Sequence, residues 1–293
     1  MLKYLLIPAA ALTLAACATA DAVAAKAAPT FDGARLETVL AAQKPEDQAR
    51  YQWRHPKETL EFFGVAPGMT VVDTLPGEVW YSGILAAYLG PDGEVIGADY
   101  SPDMWKLFGA FADEAFLAQK ATWAADWVSG SAKWAPAGGA KIGGVAYGSI
   151  PESMKGTVDV VLMVRAFHHF NRFEEEGGWR TSALKDTMDL LKPGGVVGVV
   201  QHRAPEANSD KWAEGDNGYV KQSEIIKAFE AAGFEFAGAS EINANPADQP
   251  TEKDIVWRLP PTLGTSRKNP ELKAQMEAIG ESDRMTLKFR KPY

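Results

Sequence analysis

From residue 70 onward the chain alternates short β-branched runs with segments whose apolar residues recur at helical spacing. Thr70-Val71-Val72 suits a strand covered on both faces. Pro76-Gly77 ends it in a tight turn, and Trp80, Ile84, Leu85 and Tyr88 then mark the apolar stripe of a helix. Gly90-Pro91-Asp92-Gly93 predicts a turn, and Glu94-Val95-Ile96-Gly97-Ala98-Asp99 a second strand that ends on a carboxylate. Strand, helix and strand in that order make a βαβ unit with a right-handed crossover. Ser101-Pro102 predicts the cap of a helix running to about Gln119, with Met104, Leu107, Phe108, Phe111 and Phe116 as its apolar residues.

Between 120 and 144 the alternation lapses. Trp123 and Trp127 lie one helical turn apart, which predicts a tryptophan stripe packed on the body, with a lid or substrate wall as the alternative. Val145-Ala146-Tyr147 reads as a short third strand leading to Gly148-Ser149. Residues 158–164 are continuously apolar and read as the most central strand, running into Arg165-Ala166-Phe167-His168-His169-Phe170. A helix over about 181–191, a fifth strand over 196–200 followed by Gln201-His202-Arg203, a helix over about 221–232 and a sixth strand over 234–240 come next. Residues 243–284 are rich in proline with one short helix near 271–279, and 285–290 form the closing strand. Upstream, residues 31–63 are helical, broken near Pro45 and restarted at Pro56. This pattern predicts an α/β fold, a doubly wound, Rossmann-like sheet of seven strands preceded by N-terminal helices, in a single domain over 31–293.

Composition adds limits. A chain of 293 residues with 46% hydrophobic content can bury a full core. Thirty basic residues against 38 acidic ones leave a net charge of −8, which argues against nucleic acid as a partner. Residues 1–16 read as an export signal, with Lys3 ahead of an apolar stretch too short to span a membrane. Leu14-Ala15-Ala16-Cys17 resembles the bacterial lipobox, and Cys17 is the only cysteine, so a lipid anchor there is expected, followed by an Ala-rich tether over 17–30. The expected location is therefore exported, either periplasmic or as an envelope-anchored lipoprotein. Ordinary cleavage after Ala18-Thr19-Ala20 is the alternative, and a single cysteine forms no internal disulfide.

Several ordered motifs resemble the class I S-adenosylmethionine-dependent methyltransferases: Val71-Val72-Asp73 through Gly77, Val95 through Asp99, Asp159-Val160-Val161 through His168-His169-Phe170, and Leu191-Lys192-Pro193-Gly194-Gly195. Arg54-His55-Pro56, Pro67-Gly68-Met69, Trp80-Tyr81 and Lys288-Phe289-Arg290 are similar to a bacterial subgroup of predicted methyltransferases. The resemblance spans about residues 45–293. It implies a mostly parallel sheet with an antiparallel last strand, S-adenosylmethionine as cofactor, and methyl transfer to a small-molecule acceptor. On that resemblance Gly77 lets the cofactor approach the backbone, Asp73 orients the turn, Asp99 accepts from the ribose hydroxyls, and Tyr81 and Ser149 border the pocket. Two positions depart from the family pattern. Val79 stands where a second glycine is usual, and Gly148-Ser149 where an acidic residue is usual.

His168, His169 and His202 each follow a strand at the edge where open α/β sheets bind ligands, which makes His169 and His202 candidate general bases. Structural histidines are the alternative, and alignment of donor and acceptor alone can suffice for methyl transfer. No ligand spacing points to a metal. A second functional reading is a catalytically inactive, methyltransferase-like binding protein of the cell envelope. A nicotinamide oxidoreductase is the weakest reading, because Gly77 is a lone glycine.

Overall fold

The computed structural model describes residues 29–293; the segment read as an export signal, Cys17 and all but the end of the expected tether lie outside that range. Eight strands form one sheet: β1 (Thr70–Thr74), β2 (Glu94–Asp99), β3 (Lys141–Ala146), β4 (Val158–Val164), β5 (Leu191–Ala204), the two-residue β6 (Val220–Lys221), β7 (Glu235–Ser240) and β8 (Arg284–Arg290). Their order is β3-β2-β1-β4-β5-β8-β7, with β6 beside the end of β5. The pairs from β3 through β5 are parallel, whereas β8 runs antiparallel to both β5 and β7. This is a Rossmann-like, doubly wound sheet whose last strand is inserted antiparallel, as expected.

Successive residues of each central strand serve opposite faces. Val71, Val95 and Val160 pack with Leu36, Leu60, Phe63 and Ile84 of the N-terminal helices and of helix Trp80–Leu89. Val72, Ile96 and Val161 pack on the other face with Leu184, Ile225 and Phe229. The order reverses between β1 and β4, so that ligands have a crevice at the carboxyl ends of these two strands.

Three segments differ from the sequence expectation. The helix expected to run to Gln119 gives way after Trp105 to a 3-10 segment, Lys106–Phe111, which Gly109 breaks with φ +63° and ψ −138°. A new helix, Glu114–Gly130, starts under the Asp113 side chain, which accepts from the Phe116 backbone N–H at 2.8 Å. Residues 120–130 of the stretch read as irregular thus belong to the longest helix described. Trp127 on this helix lies against Gly97 of β2, where an added Cβ would stand 2.5 Å from its ring, and it stacks on Trp123. The tryptophans are therefore packing residues. β3 begins at Lys141, four residues before the expected start, and includes Gly143-Gly144: at Gly144 a Cβ would sit 2.5 Å from the Ala124 carbonyl oxygen, so glycine here allows helix and strand to touch. Finally β5 extends back through Lys192-Pro193-Gly194-Gly195, with a register shift between Val158 and Val160 of β4 that accommodates them.

Among the described residues, no helix is long and apolar enough to cross a membrane, and no group of three or more histidine, cysteine or acidic side chains is placed to hold a metal ion.

Candidate functional site

The backbone is most strained at the carboxyl edge of β1 and β4. Five described non-glycine residues have positive φ, and three of them converge here: Leu75 (φ +53°) after β1, Val79 (φ +60°) at the start of helix Trp80–Leu89, and Arg165 (φ +58°) after β4. Such conformations cost about 1–3 kcal/mol each and persist where the surrounding structure enforces them. Here the Leu75 N–H donates to Ala98 O at 2.7 Å and the Arg165 N–H to Val200 O at 2.7 Å, so neighbouring strands fix both turns. Val79 occupies a left-handed position, which explains why glycine would be the easier residue there.

Gly77 takes φ +56° at the exposed tip of the turn, and a Cβ added to it would meet only Leu75 O, at 3.9 Å. Beneath the turn Asp73 is buried and accepts from the Ser82 hydroxyl at 2.6 Å. Burial raises its carboxyl to about 7, against the opposing effects of Ser82 and Arg165. Tyr81 is buried one residue before Ser82, on the same helix. The Tyr81 hydroxyl faces Arg54, Arg284 and Thr59, whereas Gly77 stays exposed, so of the three only Asp73 lies directly under the turn.

Asp99 lies at the end of β2 as expected, but both of its oxygens are engaged. One accepts from the Tyr100 N–H at 2.9 Å, and the other pairs with Lys120 Nζ at 2.8 Å. Lys120 itself lies over the Trp105 ring, 4.3 Å from its centroid. The carboxylate is 1% exposed, and burial raises its proton affinity despite Lys120. Tyr100, Trp105, Phe108 and Phe170 pack together around this end of the sheet, with Phe170 edge to face on Tyr100 and Phe108 stacked on it. Ser149 is exposed and donates back to Ala146 O at 3.0 Å, so its hydroxyl serves its own turn.

The histidines divide. His168 is buried, with Nδ1 at 3.3 Å from the Gln201 side chain and Nε2 without a partner; burial lowers it to about 4. His169 has Nδ1 at 3.0 Å from the Tyr100 hydroxyl, which itself donates to Ala166 O at 2.9 Å. That arrangement leaves His169 Nδ1 as the donor and ties the ring to the aromatic wall. His202 pairs Nδ1 with Ser282 Oγ at 2.6 Å and lines a pocket of about 70 Å³ with Arg165, Trp257 and Glu281. Burial holds both His169 and His202 well below the usual histidine range, so both are neutral at pH 7.

Residues beyond the sequence candidates complete the site. Lys120 and Ser82 hold the two carboxylates, Gln201 spans His168 and the Gly218 carbonyl, and Glu281 gathers Arg50, Arg54 and Arg284. The sequence signal for Arg165 is visible in retrospect: a lone cation directly after the most apolar strand. A separate groove of about 650 Å³ flanks the outside of the turn, lined by Glu78, Val79, Trp80 and Trp134, and neither Asp73 nor Asp99 reaches it.

No family model matches the chain, and no curated protein does. Among solved structures, the [4+2]-cyclase SpnF is 17% identical over 82% of this chain and 80% of its own, with a TM-score of 0.47. A SAM-dependent methyltransferase from Aquifex aeolicus is 18% identical over 73% and 94%, with a TM-score of 0.45. Geranyl diphosphate C-methyltransferase from Streptomyces coelicolor A3(2), solved with Mg²⁺, geranyl diphosphate and S-adenosyl-L-homocysteine, is 12% identical over 90% of each chain, with a TM-score of 0.47. At these values the fold assignment rests on strand order and direction.

Proposed function

We propose that this protein transfers a methyl group from S-adenosylmethionine to a small-molecule acceptor at the carboxyl edge of β1 and β4. The observation that carries the reading is the convergence of three strained backbone positions, Leu75, Val79 and Arg165, on the crevice above the buried Asp73. The residues present fit such a cofactor at the turn. Gly77 leaves open space where a Cβ would stand, and helix Trp80–Leu89 presents its first turn without a side-chain cap. When bound, the cofactor supplies an electrophilic methyl group on its sulfonium. Asp73 would hold the turn through Ser82, and Asp99 would exchange its Lys120 partner for the ribose hydroxyls. His202, neutral and facing the pocket, would take the acceptor's proton, while His169 holds Tyr100 in place.

Calorimetry with S-adenosylmethionine and S-adenosylhomocysteine tests this reading: micromolar binding that disappears in Asp99→Asn is expected, and absence of binding in the wild type refutes it. The second reading, an inactive binding protein, draws on the Lys120–Asp99 pair, which closes the place of the ribose. Binding without turnover of any acceptor would favour it. We also propose export with lipidation of Cys17; intact-mass analysis of the mature protein checks this, since an unmodified chain beginning at Asp21 excludes the anchor.

A further inference from the structure

Arg165 lines the small pocket together with His202 and Ser282, at the junction of β4, β5 and the segment around Trp257. The pocket's volume of about 70 Å³ is several times the about 10–15 Å³ that one water needs, and it suits a head group rather than a whole substrate. Arg165 Nε is buried without a partner among the described residues, and no acceptor side chain bonds to the group. Buried donors left without acceptors are rare in folded proteins. Here they recur, because Arg54 Nη2 and Arg284 Nε are also buried and unpartnered.

The carboxylates nearby are already committed. Glu281 accepts from Arg50 at 2.5 Å, from Arg54 at 3.3 Å and from Arg284 at 3.1 Å. Asp73 is held by Ser82. Four guanidiniums therefore gather around one fully shared carboxylate, and Arg165, the uncommitted one, lines the pocket. Guanidinium geometry matches planar or tetrahedral oxyanions with two parallel bonds. We propose that this pocket receives the anionic head group, a carboxylate or phosphate, of the acceptor molecule, with Arg165 as its specificity residue. The word acceptor rests on the methyl-transfer reading; the binding of an anion here does not.

The test uses the full chain and inorganic phosphate as probe, read by ³¹P line broadening and by the thermal midpoint against chloride at equal ionic strength. Wild type is expected to broaden the phosphate signal and to gain stability beyond the chloride control. Arg165→Met should weaken phosphate at least tenfold and Arg165→Lys should recover part of the loss. If Arg165→Met fails to fold, Ser282→Ala, which removes the hydroxyl beside the pocket, should weaken phosphate severalfold. No broadening by wild type, or undiminished affinity in the folded variants, overturns the proposal. A second arm compares S-adenosylhomocysteine with 5′-methylthioadenosine, which lacks the amino-acid carboxylate. Unchanged affinity of both for Arg165→Met supports an acceptor pocket, whereas selective loss of S-adenosylhomocysteine assigns the anion to the cofactor and overturns it. If neither nucleoside binds wild type, the methyl-transfer reading fails while the phosphate result still decides the anion pocket.

Discussion

Replacing Glu281 by alanine should cost about 3–5 kcal/mol, the range for stripping a buried charge cluster of its only counter-ion. Glu281 is 4% exposed, and the arginines it shares include Arg54 at 3% and Arg284 at 2%. A unit pair at 4 Å in an effective dielectric of 20 is worth about 4 kcal/mol before desolvation, and burying each ion costs several, so the intact cluster is only modestly favourable. Deleting the carboxylate removes the attraction while the buried cations keep their cost. In urea, followed by tryptophan fluorescence and circular dichroism, a slope of about 3 kcal/mol per molar turns this into a midpoint lowered by about 1–1.7 M. Glu281→Gln should lose roughly half as much, because it keeps acceptor geometry without charge. The pH dependence has a definite sign. Burial alone would raise the Glu281 carboxyl, but Arg284, Arg54 and Arg50 together hold it below the ordinary value. Its contribution is therefore present above the unfolded value of about 4.3 and is lost as pH falls through the lower folded one. A Glu281→Ala midpoint within about 0.3 M of wild type, or a wild-type advantage over Glu281→Gln that is as large at pH 3 as at pH 7, would refute the reasoning.

Asp73, pushed up to about 7, has the opposite sign. The folded state holds its proton between about 3.9 and 7, so wild type should lose a few kcal/mol relative to Asp73→Asn as pH rises across that window; melts at pH 5 and pH 8 that give the same difference would refute it. Val79→Gly should relieve a left-handed conformation worth about 1–2 kcal/mol, offset by about 0.5–1 kcal/mol for the freer unfolded glycine. The net gain, between about 0 and 1.5 kcal/mol, raises the melting temperature by up to about 6 °C, and a lower melting temperature counts against the assigned backbone. Lys120→Met keeps an apolar contact for Trp105 but releases Asp99, so S-adenosylhomocysteine affinity should rise roughly threefold, about 0.7 kcal/mol, while the melting temperature falls. Weaker binding would show that Lys120 is part of the ligand site.

Strand identity and order were legible because periodicity reports burial, and burial on both faces is what the central strands share. Val71-Val72 and Val158–Val164 carry that signal without help from distant residues. The errors lie where glycine has two meanings. Gly143-Gly144 and Gly194-Gly195 look like punctuation, yet both pairs lie inside strands, the first because the backbone of helix Glu114–Gly130 rests on it. Gly109 is the real break, and nothing local distinguishes it from the others.

The site was legible only as far as its residues stand at strand ends. Asp73, Asp99 and His169 could be named because they lie at or just after strand ends; His202, expected to follow a strand over 196–200, instead lies inside β5, which runs on to Ala204. Their partners could not, because Lys120 reaches Asp99 from 21 residues away, Ser282 meets His202 across 80, and Glu281 meets Arg54 across 227. Those partners alter what the candidates can do. Asp99 is bonded to Lys120, and His169 is bonded to Tyr100, which leaves His202 facing the pocket. The uncommitted group is Arg165, whose charge alone was unremarkable in the sequence. Its left-handed backbone and a side chain with no carboxylate partner among the described residues distinguish it from the arginines that Glu281 holds, and they make it the side chain through which this site would select an anionic ligand.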